Sequence, residues 1–295
     1  MSLEPVGSPS TTARSPMGVN DPAHGASTGV SAGRPFKKFV VLATPRSGSS
    51  HLVDLLDSHP QLSCLGELFN PHGAALRKLG LRNKNDMRQA GEKPLEFLQR
   101  VMKQQQESEP YKPYFGFKLM LHHDPRLIDH VLEDSSWEII VLERQNLLAQ
   151  WTSAGLAKKT GRWGPGKKAG EGKKGDDKAE AEDEEDDLDD LDEDKAPEKA
   201  ASPKVVFNAE KYEQYCFRMH ARYASIYNRL GDRPYFKLYS EDIDASHPKL
   251  LEFLHVDPRP LESTRPRQNS SSMRDRIKNY ESYVRYARKN SLPVT

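Results

Sequence analysis

Residues 39–56 constrain this chain more than any other stretch. Phe39-Val40-Val41-Leu42-Ala43 is an unbroken apolar run behind two lysines, the pattern of a strand buried on both faces. Thr44-Pro45-Arg46-Ser47-Gly48-Ser49-Ser50 follows, then Leu52, Leu55 and Leu56 at helical spacing, with His59-Pro60 closing the helix. Small residues in such a loop leave successive backbone N–H groups open, and a helix starting near Ser49 adds its positive end. Ser49 and Ser50 carry hydroxyl donors, and Arg46 carries a permanent positive charge. The loop reads as a grip for a phosphate-like anion; a serine-rich turn that merely caps a helix shares the pattern. It is not a Walker loop, because G-x-x-x-x-G-K-[ST] and its lysine are missing.

The rest of the chain alternates strands and helices. Residues 62–65 read as a short strand ending in Gly66-Glu67, and residues 72–109 as mostly helical with turns at Gly80 and Gly91. Further strands are expected at residues 114–120, 138–142 and 235–239. Helices are expected at residues 125–132, 146–159 and 209–229, with another through Leu250, Leu251 and Leu254. This alternation predicts an α/β fold with a mainly parallel central sheet covered on both faces. Sites in such folds lie beyond the carboxyl ends of the strands, where Thr44, Glu67, Lys118 or His122, and Arg144 are expected.

The net charge of +1 conceals a strong polarity. Residues 176–194 hold 14 acids and one Lys, which leaves +14 on the remainder. A basic folded part suits an anionic ligand. Residues 1–35 have almost no large apolar side chains and residues 164–204 are Lys and Gly followed by a dense acidic block, so they read as a disordered tail and a disordered insert. That leaves residues 36–163 and 205–290 for a single domain. An acidic insert beside a basic site is also placed to compete with an anionic ligand. Two cysteines, Cys64 and Cys216, have no metal-like spacing and indicate no disulfide framework. No apolar run is long enough to span a bilayer, and the N-terminus has no secretory pattern, so a soluble, reducing location is the default expectation. The Ser- and Ala-rich start leaves organelle targeting open. No nucleic-acid reading module is recognisable.

Arg144 follows the fourth expected strand, and Ser153 lies nine residues later on the next helix; a guanidinium and a hydroxyl there can hold a second phosphate. With the first loop, these residues resemble the sulfotransferases that use 3′-phosphoadenosine 5′-phosphosulfate, and are most similar to the bacterial-type branch of nodulation and trehalose-lipid enzymes. The resemblance covers most of residues 37–163 and 205–283. It implies a P-loop-type three-layer sandwich. It also implies that Pro45, Arg46, Ser47, Gly48, Ser49 and Ser50 grip the 5′-phosphosulfate and that Arg144 and Ser153 bind the 3′-phosphate. Leu65-Gly66-Glu67-Leu68-Phe69-Asn70-Pro71 is similar to the family's G-E-x-F-N-P segment, and Phe115-Gly116-Phe117-Lys118-Leu119-Met120 to its G-F-K-x-M strand. Ala157-Lys158-Lys159-Thr160-Gly161-Arg162-Trp163 resembles a segment common in that branch. The Y-E-D-L and F-L-G-V region is matched with two departures, Ser240 between Tyr239 and Glu241, and His255 in place of Gly. Arg267 and Gln268 resemble the tail that meets the 3′-phosphate.

The resemblance implies sulfuryl transfer to a hydroxyl acceptor, a sugar or glycolipid first among them, with no metal required in principle. Arg46 and Lys118 are the expected charge stabilisers. Glu67 is the expected general base, its pKa raised by partial burial, and His51, His59, His122 and His123 are rivals. A small-molecule kinase and a non-catalytic nucleotide-binding relative remain as alternative readings, and oligomeric state is open.

Overall fold

The computed structural model describes residues 36–70, 73–81, 83–108, 110–161, 163, 203–264 and 271–294. The expected tail and most of the expected insert lie outside them, as do Arg267 and Gln268. Strand β1 (Lys37–Ala43) leads into helix α1 (Ser49–Asp57), then β2 (Leu62–Glu67). Helices α2 (Ala74–Lys78), α3 (Lys84–Glu92) and α4 (Pro94–Gln106) precede β3 (Tyr114–Met120). The chain continues through α5 (Pro125–Glu133), β4 (Trp137–Glu143) and α6 (Leu147–Thr160). After the insert come α7 (Ala209–Leu230), β5 (Phe236–Tyr239), a 3-10 turn (Ser240–Asp242), α8 (His247–Phe253), α9 (Met273–Arg276) and α10 (Tyr280–Lys289).

Five strands form one sheet in the order β2-β3-β1-β4-β5, and every pairing is parallel. The fold is the expected α/β sandwich. Alternate residues of each strand face opposite layers. Val40, Leu42, Phe115, Phe117, Leu119, Ile139 and Val141 pack under α4, α5 and α7. Phe39, Val41, Cys64, Met120, Ile140 and Leu142 pack under α1 and α8. Both faces are covered, which is why the strands read as continuous apolar runs instead of alternating ones. A third cluster joins Trp151 of α6 to Phe207, Tyr212, Tyr283 and Ala287.

Two local expectations change. Gly91 lies inside α3, and the break falls at Lys93, because Pro94 starts α4 at a position that needs no N–H partner. Lys118 is the fifth residue of β3, not a strand-end residue, and it reaches the carboxyl edge through its side chain. Among the described residues, no helix is long and apolar enough to cross a membrane.

Candidate functional site

At the carboxyl edge, β1 has β3 on one side and β4 on the other. The chain moves from β1 toward β2 and later crosses back to β4, so the loop after β1 occupies the switch point of the sheet. In that loop Arg46 has φ 60° and Gly48 φ 83°, both left-handed, so the backbone turns sharply into α1. At Gly48 the left-handed φ favours glycine, and a Cβ would also stand a tight 3.0 Å from the Ser240 hydroxyl.

Three side chains outside the loop hold its shape. Gln150 is fully buried and donates to Thr44 Oγ1 at 2.9 Å and to the Pro45 carbonyl at 2.6 Å. Ser153, three residues on and thus on the same face of α6, accepts from Arg46 Nε at 3.0 Å. Tyr223 of α7 accepts from Thr44 N at 3.2 Å and donates to the Leu142 carbonyl at 2.6 Å, tying the ends of β1 and β4 together. Neither Gln150 nor Tyr223 was a sequence candidate. Both sit in helices whose composition only signals burial.

Arg144 donates from Nη1 to the Arg46 carbonyl at 2.9 Å, so it stands against the loop as expected. Its Nε is buried with no hydrogen-bond partner among the described residues, and burial lowers its pKa while Glu241 opposes the change. Arg276, which sequence reasoning missed, is nearly buried beside it; burial first and the Arg144 charge second lower its pKa. A parallel bridge between Val205 and Ile277 places Arg276, and Asn279 reinforces it by bonding both backbone groups of Phe207. Arg276 is buried and Arg144 half-buried, and their charges repel; Glu241 and Asp275 offset this in part, and an anion between or beside the two guanidiniums would offset it further, which is the electrostatic character of a phosphate site. Ser47 Oγ is a second buried donor with no partner among the described residues. These orphaned donors fit a doubly anionic ligand.

Lys118 and Glu67 meet because of a bulge. Leu65 pairs with Phe117, but the next pair is Glu67 with Lys118, with Gly66 as the extra residue. Without it, Glu67 would turn into the layer occupied by Leu65 and Phe117. With it, Glu67 shares the α1 face with Lys118. Gly116 on that face is required as well, because a Cβ there would lie 2.2 Å from the Phe39 ring. Lys118 Nζ is 2.5 Å from Glu67 Oε1 and donates to Ser50 Oγ at 3.2 Å. Asn70 Nδ2 donates to Glu67 Oε2 at 3.0 Å.

This arrangement corrects the expected pKa of Glu67. Burial does push the carboxyl up, but the Lys118 charge and hydrogen bond, with Asn70, outweigh it and bring the value down to about 2. His123 lies within electrostatic reach of the same pair. Burial, then His122 and Lys118, lower its pKa to about 4 against the pull of Glu67, so its imidazole is neutral near pH 7. Its Nδ1 is buried without a partner among the described residues. His59 is structural, fully buried and bonded through Nε2 to the Asp257 carbonyl at 3.0 Å. His51 links α1 to Asp244 and Ser263 at 3.1 Å each. Trp151 packs in the third cluster, and the Trp163 carbonyl accepts from Arg46 Nη1 at 2.6 Å.

Residues 39–155 match the family model described as "Sulfotransferase family". The matched stretch runs from β1 into α6 and includes the loop, Glu67, Lys118, Arg144 and Ser153, and it supports a sulfotransferase. Among solved structures, the chain is similar to the "Sulfotransferase Domain from the Curacin Biosynthetic Pathway". The two share 17% sequence identity over 77% of this chain and 76% of that chain, with a TM-score of 0.44. No curated protein matches the chain.

Proposed function

We propose that this chain transfers a sulfuryl group from 3′-phosphoadenosine 5′-phosphosulfate to a hydroxyl, with a sugar or glycolipid as the acceptor. The observation that carries the reading is a pair of adjoining anion sites, the loop at residues 45–50 with Lys118, and Arg144 with Arg276 and Ser153. Arg46 belongs to both, through its backbone carbonyl to Arg144 and its side chain to Ser153. A nucleotide with charged groups at its 5′ and 3′ positions matches two such sites. The acceptor class rests on the resemblance to the nodulation and trehalose-lipid branch, to which the likeness of residues 157–163 belongs.

When bound, such a donor supplies a sulfuryl group on a phosphate leaving group. Loop N–H groups, the start of α1, Arg46 and Lys118 hold the 5′ end and stabilise negative charge there. Arg144, Arg276 and Ser153 hold the 3′-phosphate. Glu67, ion-paired with Lys118, takes the proton of the acceptor hydroxyl. Most of the acceleration then comes from positioning and electrostatics, as in phosphoryl transfer.

The test is incubation of the full chain with radiolabelled sulfate donor and a panel of oligosaccharides and glycolipids, followed by mass spectrometry of the labelled product. Sulfated carbohydrate is expected. Magnesium-dependent ATP consumption with no sulfate transfer would overturn the assignment in favour of a kinase.

A further inference from the structure

Lys118 occupies an unusual place between two partners. It is 4% exposed, so water does little to solvate its ammonium, and it depends on anionic or polar neighbours. One neighbour is Ser50, in the stretch read above as the grip for the sulfate-bearing end of the donor. The other is Glu67, the residue proposed above to take the acceptor's proton. Among the described residues, Lys118 is the only Lys or Arg in ion-pair contact with Glu67. Both oxygens of Glu67 are engaged, one by Lys118 and one by Asn70, so the carboxylate rests with its charge countered by the ammonium and is a weaker proton acceptor while that pair holds.

Resting on the donor reading above, we infer that Glu67 and the sulfuryl end of the donor compete for the single ammonium of Lys118, so that donor binding draws Lys118 away and opens Glu67 to the acceptor. No proton moves in this exchange; one counter-charge passes from one anion to another. Losing part of that counter-charge makes the carboxylate a stronger base at the moment a donor is in place. His123 presents a neutral ring to the same pair and adds no rival cation near pH 7. The pair therefore favours an order in which donor precedes acceptor, since the ammonium keeps the base weak until the loop is filled. A ligand shifts such an equilibrium only by its differential affinity for the two arrangements, so the competition is measurable as binding.

The experiment is calorimetric titration of the full chain with two ligands, 3′-phosphoadenosine 5′-phosphosulfate and its desulfo counterpart, adenosine 3′,5′-bisphosphate. Glu67→Gln is expected to bind the sulfated nucleotide about tenfold tighter than the parent, within the ordinary range of coupling, and to bind the desulfo nucleotide unchanged. Lys118→Met is expected to lose the preference for the sulfated ligand, and adding Glu67→Gln to it should change neither affinity. The Lys118→Met background also tests the idea if Glu67→Gln alone fails to fold. Equal tightening of both nucleotides by Glu67→Gln would indicate general charge repulsion and overturn the competition. Unchanged or weaker binding of the sulfated ligand would overturn it too. Failure of the parent protein to bind either nucleotide would overturn the donor assignment itself, and the competition with it.

Discussion

Replacing Glu67 with Gln keeps the size of the side chain and removes the charge that faces Lys118. The two side chains are 17% and 4% exposed, so solvent screens their interaction little. The carboxyl is held at about 2 against its usual 4.5, which at about 1.4 kcal/mol per pH unit corresponds to roughly 3 kcal/mol of native stability. Mutational losses for one partner of a buried pair fall in the same range, about 3–5 kcal/mol. The folded-state pKa is the lower one, so on acidification the unfolded chain takes up the proton first. The contribution is complete above about pH 4.5 and disappears as pH falls through about 2. Urea unfolding followed by tryptophan fluorescence at several pH values measures this directly. Glu67→Gln should cost about 3 kcal/mol at pH 7, with the difference from the parent shrinking below pH 4.5. Asp134, also held low by Lys38, contributes equally to both proteins and cancels. Lys118→Met combined with Glu67→Gln should cost clearly less than the sum of the two single changes, with a coupling of about 2–3 kcal/mol. Additive losses, or a Glu67→Gln loss that is the same at pH 7 and pH 3, would refute the ion-pair account.

Two further outcomes follow from the geometry. Gly116→Ala should destabilise the protein by about 1–3 kcal/mol or more, because the added methyl meets the Phe39 ring at 2.2 Å, and Phe39→Leu should recover part of the loss in thermal unfolding. Arg276→Ala and Arg144→Ala should each weaken adenosine 3′,5′-bisphosphate by about 10- to 100-fold, the equivalent of one charge-assisted hydrogen bond, while adenosine 5′-phosphate binds nearly as before. Equal losses for both nucleotides in calorimetry would place these guanidiniums away from the 3′ position.

Much of the architecture was legible in the sequence. Five strand segments and the helices between them appeared as apolar runs and helical periods, because strands buried on both faces and helices packed on one side leave those patterns directly. Gly91 was misread, since a lone glycine is tolerated within a helix and the adjacent Pro94 sets the boundary. The parts of the site carried by contiguous motifs were legible too, among them residues 45–50, Glu67, Lys118, Arg144 and Ser153. Arg276, Gln150 and Tyr223 were not. The partners named above for their side chains lie 81 or more residues away, apart from Ser271 and Asp275 beside Arg276, and no spacing rule records such contacts.

The sequence alone determined that an anion-gripping loop follows a central strand, because local residue types dictate a small-residue turn into a helix. It also named Glu67 and Lys118 as candidates. Only the tertiary structure decided their relation. The bulge at Gly66 shifts the register by one residue, turns Glu67 out of the apolar layer and sets it 2.5 Å from Lys118. That pairing, which arises between strands distant in the chain, reverses the pKa that burial alone would have produced.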